Sequence, residues 1–348
     1  MYSTCKIEEI NSQLFTILIY AFAKLYDNGT VKPLDEWGDI KKEGYLRFNA
    51  LKQKNPQLRT LLSIGGGSSD ASNTFSLMAM TEDSRRLFID SSLKFITKYG
   101  FDGIDIDWEY PTKKGGKPED RKNLSLLLKE MRIEFDKYGY ILTMAVISGA
   151  SSIDPIYEVS QLSRYLHLIH LMTYDMHSFT QGKTGHNAPL HSNDTINVEY
   201  SAKAWISKGA ISKKIILGVG AYGKSFTLSD PKSHGIGAPT LGPGMAGPYS
   251  RSNGTLYYYE VLEFQKNDWM RVWSKEQQVP YSYRNDQWVG YDDVESIEKK
   301  VVLASKLKLG GMMMWSVDMD DPRGIAGEKF PLAKAMSKKI LSLSHKWF

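Results

Sequence analysis

Short apolar runs alternate with longer helical segments along most of the chain, and this alternation restricts the fold more than any other feature. Residues 82–99 and 119–138 have the apolar spacing of helices, and each segment leads through a Tyr-Gly pair into the next apolar run. Strands that alternate with helices in this way predict a parallel sheet. The predicted strands are residues 15–24, 59–64, 103–107, 141–146, 168–173, 215–218 and 311–315.

The domain organisation follows from where this alternation stops. Candidate functional residues at the C-terminal ends of the predicted strands favour a (β/α)8 TIM barrel, and a doubly wound open sheet is the alternative. Between residues 222 and 291 the alternation gives way to a segment rich in Gly, Pro, Ser and aromatic residues. We therefore predict an α/β barrel formed by residues 1–221 and 292–348, with an inserted α+β subdomain at residues 222–291. A chain of 348 residues is long enough for this arrangement.

Three acids stand at strict two-residue spacing: Asp105, Asp107 and Glu109 alternate with apolar residues. On a strand they would share one face at intervals of roughly 6 to 7 Å, and their repulsion would raise at least one pKa. A carboxyl kept neutral near physiological pH can serve as a general acid. A solvated edge strand and a divalent-cation site are the alternatives. The Trp and Tyr residues beside Glu109 suit a sugar ring better than a hydrated ion.

Several classes of partner are not predicted. The 44 basic and 39 acidic residues are interspersed, so nucleic acid is not implied. No run of 18 apolar residues predicts a membrane span, residues 1–13 are too polar for a signal peptide, and the single cysteine, Cys5, cannot form an intramolecular disulfide. The segment 218–223 matches Gly-x-Gly-x-x-Gly without a convincing helix after it, and the histidines lack Cys or closely spaced acids. We therefore predict neither a cofactor nor a metal.

Four motifs together carry a resemblance to a known family. Residues 102–109 fill the pattern Asp-x-x-Asp-x-Asp-x-Glu, and residues 63–66, 172–175 and 310–315 match Ser-x-Gly-Gly, Met-x-Tyr-Asp and Gly-Gly-x-x-x-Trp. Over nearly its whole length the chain resembles the family 18 glycoside hydrolases, and within them animal, arthropod-like chitinases. The resemblance implies a monomeric, extracellular endo-chitinase that hydrolyses β-1,4 N-acetylglucosamine linkages of chitin or chito-oligosaccharides with retention.

The resemblance also implies a role for each site residue. Glu109 would protonate the glycosidic oxygen while the substrate's own acetamido oxygen attacks the anomeric carbon, the family's exception to the two-carboxylate scheme. Asp107 would hydrogen-bond the acetamido N–H, Asp105 would share a proton with Asp107, and Tyr174 would donate to the acetamido oxygen. Core packing is the alternative for Tyr174. The remaining implied residues bind substrate: Trp315, Asp175, Met172, Tyr222, Tyr110, Phe22, Trp108 and Gly66.

The chain departs from the family pattern in three places. Only residues 1–14 precede the strand that the family counts as its second, so we expect the first barrel strand to be missing or altered. Gly67 and Lys224 stand where Trp and Arg are usual, which predicts thinner outer subsites. Two other functions stay open, a chitinase-like lectin and an endo-acting N-glycan hydrolase. Glu109 argues against the lectin, because family lectins typically lack that acid.

Overall fold

The fold is that of a computed structural model, which describes residues 5–67, 71–325 and 327–343. The strands of this part of the chain are β1 Ile17–Leu25, β2 Val31–Pro33, β3 Arg59–Gly65, β4 Gly103–Asp107, β5 Ile141–Ile147, β6 Leu168–Met172, β7 Ile215–Gly220, β8 Tyr222–Leu228, β9 Thr240–Pro243, β10 Thr255–Tyr257, β11 Met270–Ser274, β12 Val279–Arg284, β13 Gln287–Gly290 and β14 Gly311–Trp315. Its α-helices are α1 Gly44–Asn49, α2 Ala71–Ala79, α3 Glu82–Tyr99, α4 Asp120–Asp136, α5 Ala150–Ile156, α6 Val159–Tyr165, α7 Val198–Ser207, α8 Tyr258–Lys266, α9 Val294–Lys306 and α10 Pro331–Ser342.

The strand and helix predictions are confirmed, most of them to within two residues. The bounds of β4, β14 and α3 are those that the sequence predicts. Local chemistry explains α3: Thr81 and Ser84 form a reciprocal capping box at its start, and Gly100 ends it with φ of 79°. A left-handed residue at that position costs little only for glycine, so the helix ends where the sequence indicates.

The chain divides into two compact units, and residues 7–171 with 204–216 form one of them. Its strands lie in the order β2-β1-β3-β4-β5-β6. β1, β3, β4 and β5 pair in parallel, and the short β2 is antiparallel to β1. All five residues of β4 are buried. The interpretation of the acid stripe as a solvated edge strand is therefore wrong.

The start of the described chain contains no strand before β1. Residues 5–16 hold two short 3₁₀ turns, Ile7–Glu9 and Ser12–Leu14, and β1 begins at Ile17. The Glu8 carboxylate accepts two hydrogen bonds from Arg47 of α1, at 2.6 and 2.8 Å, which fixes the first turn. Residues 5–14 thus hold no strand, and residues 1–4 lie outside the described part, so a missing or altered first barrel strand stays a prediction.

The second unit comprises residues 172–203, 217–325 and 327–343 together with the described residues of the segment 1–6. In it β14 lies beside β7, and a separate antiparallel sheet has the order β10-β8-β13-β12-β11, with β9 paired to β8. That sheet and α8 occupy residues 222–290, the segment that breaks the alternation in the sequence. The predicted boundaries of an inserted subdomain stay a prediction.

No helix in the described ranges is long and apolar enough to cross a membrane. The Gly-x-Gly-x-x-Gly segment continues from β7 directly into β8, so it lacks the helix that a dinucleotide fingerprint requires.

Candidate active site

Strand β4 carries two of the three acids, and the third follows it. Asp105 and Asp107 lie on β4, which ends at Asp107, so Glu109 lies two residues beyond the strand rather than on its face. In register, Gly65 of β3 is opposite Asp107. A Cβ on Gly65 would lie 2.1 Å from the Asp107 carbonyl oxygen. Only glycine therefore permits this approach of the two strands.

Side chains from three other strands surround the Asp105 carboxyl. Its Oδ2 accepts from Ser63 of β3 at 2.8 Å, and its Oδ1 accepts from Thr143 of β5 at 2.6 Å. His170 Nδ1, on β6, lies 3.1 Å from the same Oδ1. Two hydroxyl donors and an imidazole nitrogen thus leave neither oxygen of this carboxyl without a partner.

Asp107 has the opposite surroundings, although it lies only one step along the same strand face. Its side chain is buried, and its Oδ1 has no hydrogen-bond partner among the described residues. Burial, and then the charges of Glu109 and Asp105, raises the pKa of Asp107 well above its ordinary value of 3.8. The surroundings of Asp107 thus penalise its charge, and its Oδ1 is left to accept a hydrogen bond.

Glu109 is partly exposed and has an aromatic residue on each side. Burial and the Glu109 charge raise the pKa of the Tyr110 hydroxyl, which hydrogen-bonds the Glu109 side chain. A Cβ on the exposed Gly67 would lie 3.3 Å from Glu109 Oε1, so this glycine leaves the carboxyl open on one side. Trp108 is fully buried, and its ring stacks on Phe75 of α2 with 5.3 Å between centroids. The structure therefore does not support Trp108 as a substrate contact.

The two remaining predicted residues of this unit, Phe22 on β1 and Gly66 just after β3, are close neighbours. Gly66 is buried with φ of 94°, and a Cβ there would lie 3.0 Å from the ring of Phe22. The absence of a side chain at Gly66 makes room for that ring, which is half-buried.

A second group of predicted residues lies in the other unit, where hydrogen bonds and an ion pair join Asp175, Tyr222 and Lys224. Asp175 Oδ1 accepts from the Tyr222 hydroxyl at 2.6 Å and lies 2.8 Å from Lys224 Nζ. Asn187 ties this group together, because its Oδ1 accepts from the Asp175 N–H at 2.9 Å and its Nδ2 donates to the Tyr222 carbonyl at 3.1 Å. The Tyr174 and Tyr222 rings meet edge to face at 6.1 Å.

The electrostatics of this second group favour a neutral Tyr222 hydroxyl beside the Asp175 side chain. Burial, and then the negative charge of Asp175, raises the pKa of Tyr222 well above 10. The Asp175 side chain is 54% exposed, so its carboxylate can also reach a ligand. Met172 and Trp315 are both half-buried, and the Trp315 carbonyl accepts from the Ala221 N–H at 2.8 Å.

Three residues that are not among the predicted site residues are prominent in this geometry. His170, Thr143 and Asn187 each make a side-chain hydrogen bond to a predicted site residue or its backbone. The signal for His170 and Thr143 is a polar residue inside a buried strand, Leu-Ile-His-Leu-Met in β6 and Ile-Leu-Thr-Met in β5. Such a residue needs a partner in the interior, but the sequence does not say which one.

Comparisons with known proteins agree with this geometry. Residues 1–320 match the model of the glycosyl hydrolases family 18. Chitotriosidase-1 of Mus musculus is 35% identical over 348 residues, which cover 95% of this chain and 73% of that protein. The Group IV chitinase of Ostrinia furnacalis, solved with allosamidin, superposes with a TM-score of 0.93 at 36% identity, covering 97% of this chain and 93% of that one.

A further solved relative is described as a pseudo-chitinase. Human YKL-39 is a pseudo-chitinase with retained chitooligosaccharide binding, and it superposes with a TM-score of 0.88 at 37% identity over 96% of this chain and 94% of its own. These neighbours have the TIM-barrel fold, so the predicted fold class is confirmed. The family prediction is confirmed as well: the chain belongs to family 18 of the glycosyl hydrolases.

Proposed function

We propose that the protein hydrolyses β-1,4 linkages between N-acetylglucosamine units of chitin or chito-oligosaccharides by a retaining, substrate-assisted mechanism. The observation that carries this proposal is the contrast within the acid group. Asp105 has three hydrogen-bond partners on its carboxyl, Asp107 is buried with an Oδ1 that has no partner among the described residues, and Glu109 follows beyond the end of the strand. This is a general acid beside a group that can hold and orient a substrate's polar substituent.

In the first step Glu109 donates its proton to the glycosidic oxygen, and the bond from that oxygen to the anomeric carbon breaks. The acetamido carbonyl oxygen of the same sugar forms the new bond to that carbon, and the departing sugar leaves as an alcohol. The product is an oxazolinium ion with no covalent bond to the protein. Asp107 accepts the acetamido N–H, and the negative charge of the acid group offsets the developing positive charge.

In the second step Glu109 acts as a base. It takes a proton from a water molecule whose oxygen attacks the anomeric carbon, and the ring of the intermediate opens to restore the acetamido group. Two displacements at one carbon give net retention. The acid is regenerated, so the cycle consumes only water and substrate.

The paired group of the second unit supports sugar binding. The Asp175 carboxylate and the Tyr174 and Tyr222 hydroxyls offer acceptors and donors to sugar hydroxyl and acetamido groups. Trp315 offers an indole face, which suits a sugar ring. These contacts, the monomeric state and the extracellular location stay predictions.

The experiment that tests the function compares Glu109→Gln with the unchanged protein on a fluorogenic chitotriose. The amide is nearly isosteric with the acid but cannot donate the proton, so turnover should fall at least about 10²- to 10⁴-fold while oligosaccharide binding persists. Glu298→Gln, which alters an exposed acid paired with Lys339, is the matched control and should keep full activity. A Glu109→Gln variant with more than a tenth of the original activity would refute the assignment of the acid.

One observation favours a second candidate, a sugar-binding protein with little activity. YKL-39, at 37% identity, binds chitooligosaccharide although it is a pseudo-chitinase. The same assay separates the two candidates. If the unchanged protein binds chitotriose without turning it over, the lectin function is correct and the hydrolase function is not.

A further inference from the structure

Ser72 of α2 contacts the chain on both sides of Glu109. Its hydroxyl oxygen accepts from Trp108 Nε1 at 2.9 Å, and it lies 2.9 Å from the Tyr110 carbonyl oxygen and 3.0 Å from that of Lys113. An indole N–H can only donate, so the serine oxygen is the acceptor there and its single proton is shared between the two carbonyls. One buried hydroxyl therefore holds the residue before Glu109, the residue after it and the loop beyond.

Glu109 lies beyond the end of β4, so contacts outside the strand ladder position its backbone. β4 ends at Asp107, so the ladder hydrogen bonds that fix Asp105 and Asp107 do not extend to Glu109. Trp108 fills the interior beside α2, where its ring stacks on Phe75 with an interplanar angle of 15°. Glu109 thus lies between two residues, Trp108 and Tyr110, that both hydrogen-bond Ser72 of α2.

The same face of α2 holds the rest of the loop. Ser76, one turn after Ser72, donates to Asp120 Oδ1 at 2.7 Å. Asp120 Oδ2 in turn accepts from the backbone N–H groups of Lys117, at 2.7 Å, and Thr112, at 3.3 Å. Residues i, i+3 and i+4 of a helix share a face, and here Ser72, Phe75 and Ser76 all point at the segment that carries the acid.

We propose that Ser72 is a positioning residue for Glu109: its hydroxyl sets where the carboxyl of the general acid lies relative to the glycosidic oxygen. This role rests on the proposed function. Its effect falls on the rate of the chemical step and not on binding, because Ser72 is fully buried and reaches no ligand itself. Misplacement of a reacting group by about 1 Å can cost about 100-fold in rate.

The test compares Ser72→Ala with Ser72→Thr and Ser92→Ala. Ser72→Ala removes the anchor, whereas Ser72→Thr retains a hydroxyl. Ser92 on α3 is a matched control, because its hydroxyl is equally buried but has no hydrogen-bond partner among the described residues. We expect Ser72→Ala to lower kcat on fluorogenic chitotriose about 10- to 100-fold, with KM changed less than about threefold. Ser72→Thr should recover most of the loss, and Ser92→Ala should match the unchanged protein.

A second measurement keeps the proposal testable without activity. The Trp108 indole N–H resonance, assigned with Trp108→Phe, should shift to higher field in Ser72→Ala because its hydrogen bond is lost. If Ser72→Ala does not fold, Trp108→Phe removes the same hydrogen bond and should lower kcat with little effect on KM. An unshifted resonance, a kcat within about twofold of the original, a loss confined to KM or an equal loss in Ser92→Ala would each overturn the proposal. Absence of turnover in the unchanged protein would instead refute the proposed function, and the resonance would still report on the anchor.

Discussion

Two buried aspartates show how differently this chain treats an interior carboxyl. Asp292, after β13, lies 2.6 Å from Lys300 Nζ and accepts from the Ser296 hydroxyl at 2.7 Å. Asp107 lies on β4, two residues after Asp105, and its Oδ1 has no hydrogen-bond partner in the described part of the chain. Both side chains are almost inaccessible to solvent, so burial alone does not separate them.

The difference lies in compensation. Burial raises the pKa of Asp292 and lowers the pKa of Lys300, but each ion stabilises the other's charge across a short contact. At Asp107 the neighbouring charges are those of Glu109 and Asp105, and they add to the effect of burial. An interior acid that is paired with a cation is compatible with a stable fold. An interior acid without such a partner destabilises the fold, and its presence indicates a functional role.

The largest effect is expected from breaking the compensated pair. Lys300→Met leaves Asp292 buried beside Ser296 without its cation, and unfolding free energy should fall by about 3–5 kcal/mol. Urea unfolding followed by circular dichroism measures the loss. Asp292→Asn combined with Lys300→Met should recover much of it, because no unpaired charge remains. If the double variant is as unstable as the single one, the loss comes from packing and not from charge.

Asp107→Asn should show the reverse pattern, with activity lost and stability kept. We expect kcat on chitotriose to fall about 100-fold and KM to change little, since the contact to the acetamido group strengthens as charge develops. Unfolding free energy should not fall, because the substitution removes a poorly compensated acid. A loss confined to KM would mean that Asp107 only binds, and a large loss of stability would mean that it supports the fold.

The sequence predicted much of the framework around these two sites. Seven strands and two helices follow from apolar periodicity, because each buried strand is a short apolar run and each helix repeats its apolar face. Spacing alone put Glu109 on the strand, but hydrogen bonding ends β4 at Asp107. The sequence could not predict the contacts of Ser72, Thr143 and His170, for a different reason. Their contacts join elements that are 36 to 65 residues apart, and periodicity carries no information on such pairs.

The pH dependence of stability should sharpen the contrast further. The native-state pKa of Asp107 is raised above its ordinary 3.8, so the folded state binds this proton more tightly than the unfolded state does. Its contribution to stability is therefore fully present below pH 3.8 and is lost as pH rises through the native-state value. Asp107→Asn removes this loss, and its stability relative to the original protein should increase as pH rises from about 4 to the native-state pKa of Asp107. A constant difference across that range would contradict the raised pKa.

The smallest effect is expected at His170, the third hydrogen-bond partner of Asp105. His170→Leu removes this partner and leaves the two donors, Ser63 and Thr143, in place. A single hydrogen bond to a charged group contributes about 1.5–3 kcal/mol. Because the two remaining donors still hold Asp105 in place, we expect kcat to fall only about 3- to 10-fold. His170→Asn keeps an N–H donor on β6 and should lose less than His170→Leu.

A histidine nearby in the chain provides the control for this last prediction. His167 lies just before β6, but its Nδ1 accepts from the Leu142 backbone N–H at 3.0 Å instead of contacting an acid. His167→Asn should therefore leave kcat unchanged. If His170→Leu retains full activity, Ser63 and Thr143 alone hold Asp105. If His170→Leu loses as much activity as Asp107→Asn, then Asp105 and Asp107 act as one unit. The two residues then do not have separate roles, although Asp105 is hydrogen-bonded and Asp107 Oδ1 has no partner among the described residues.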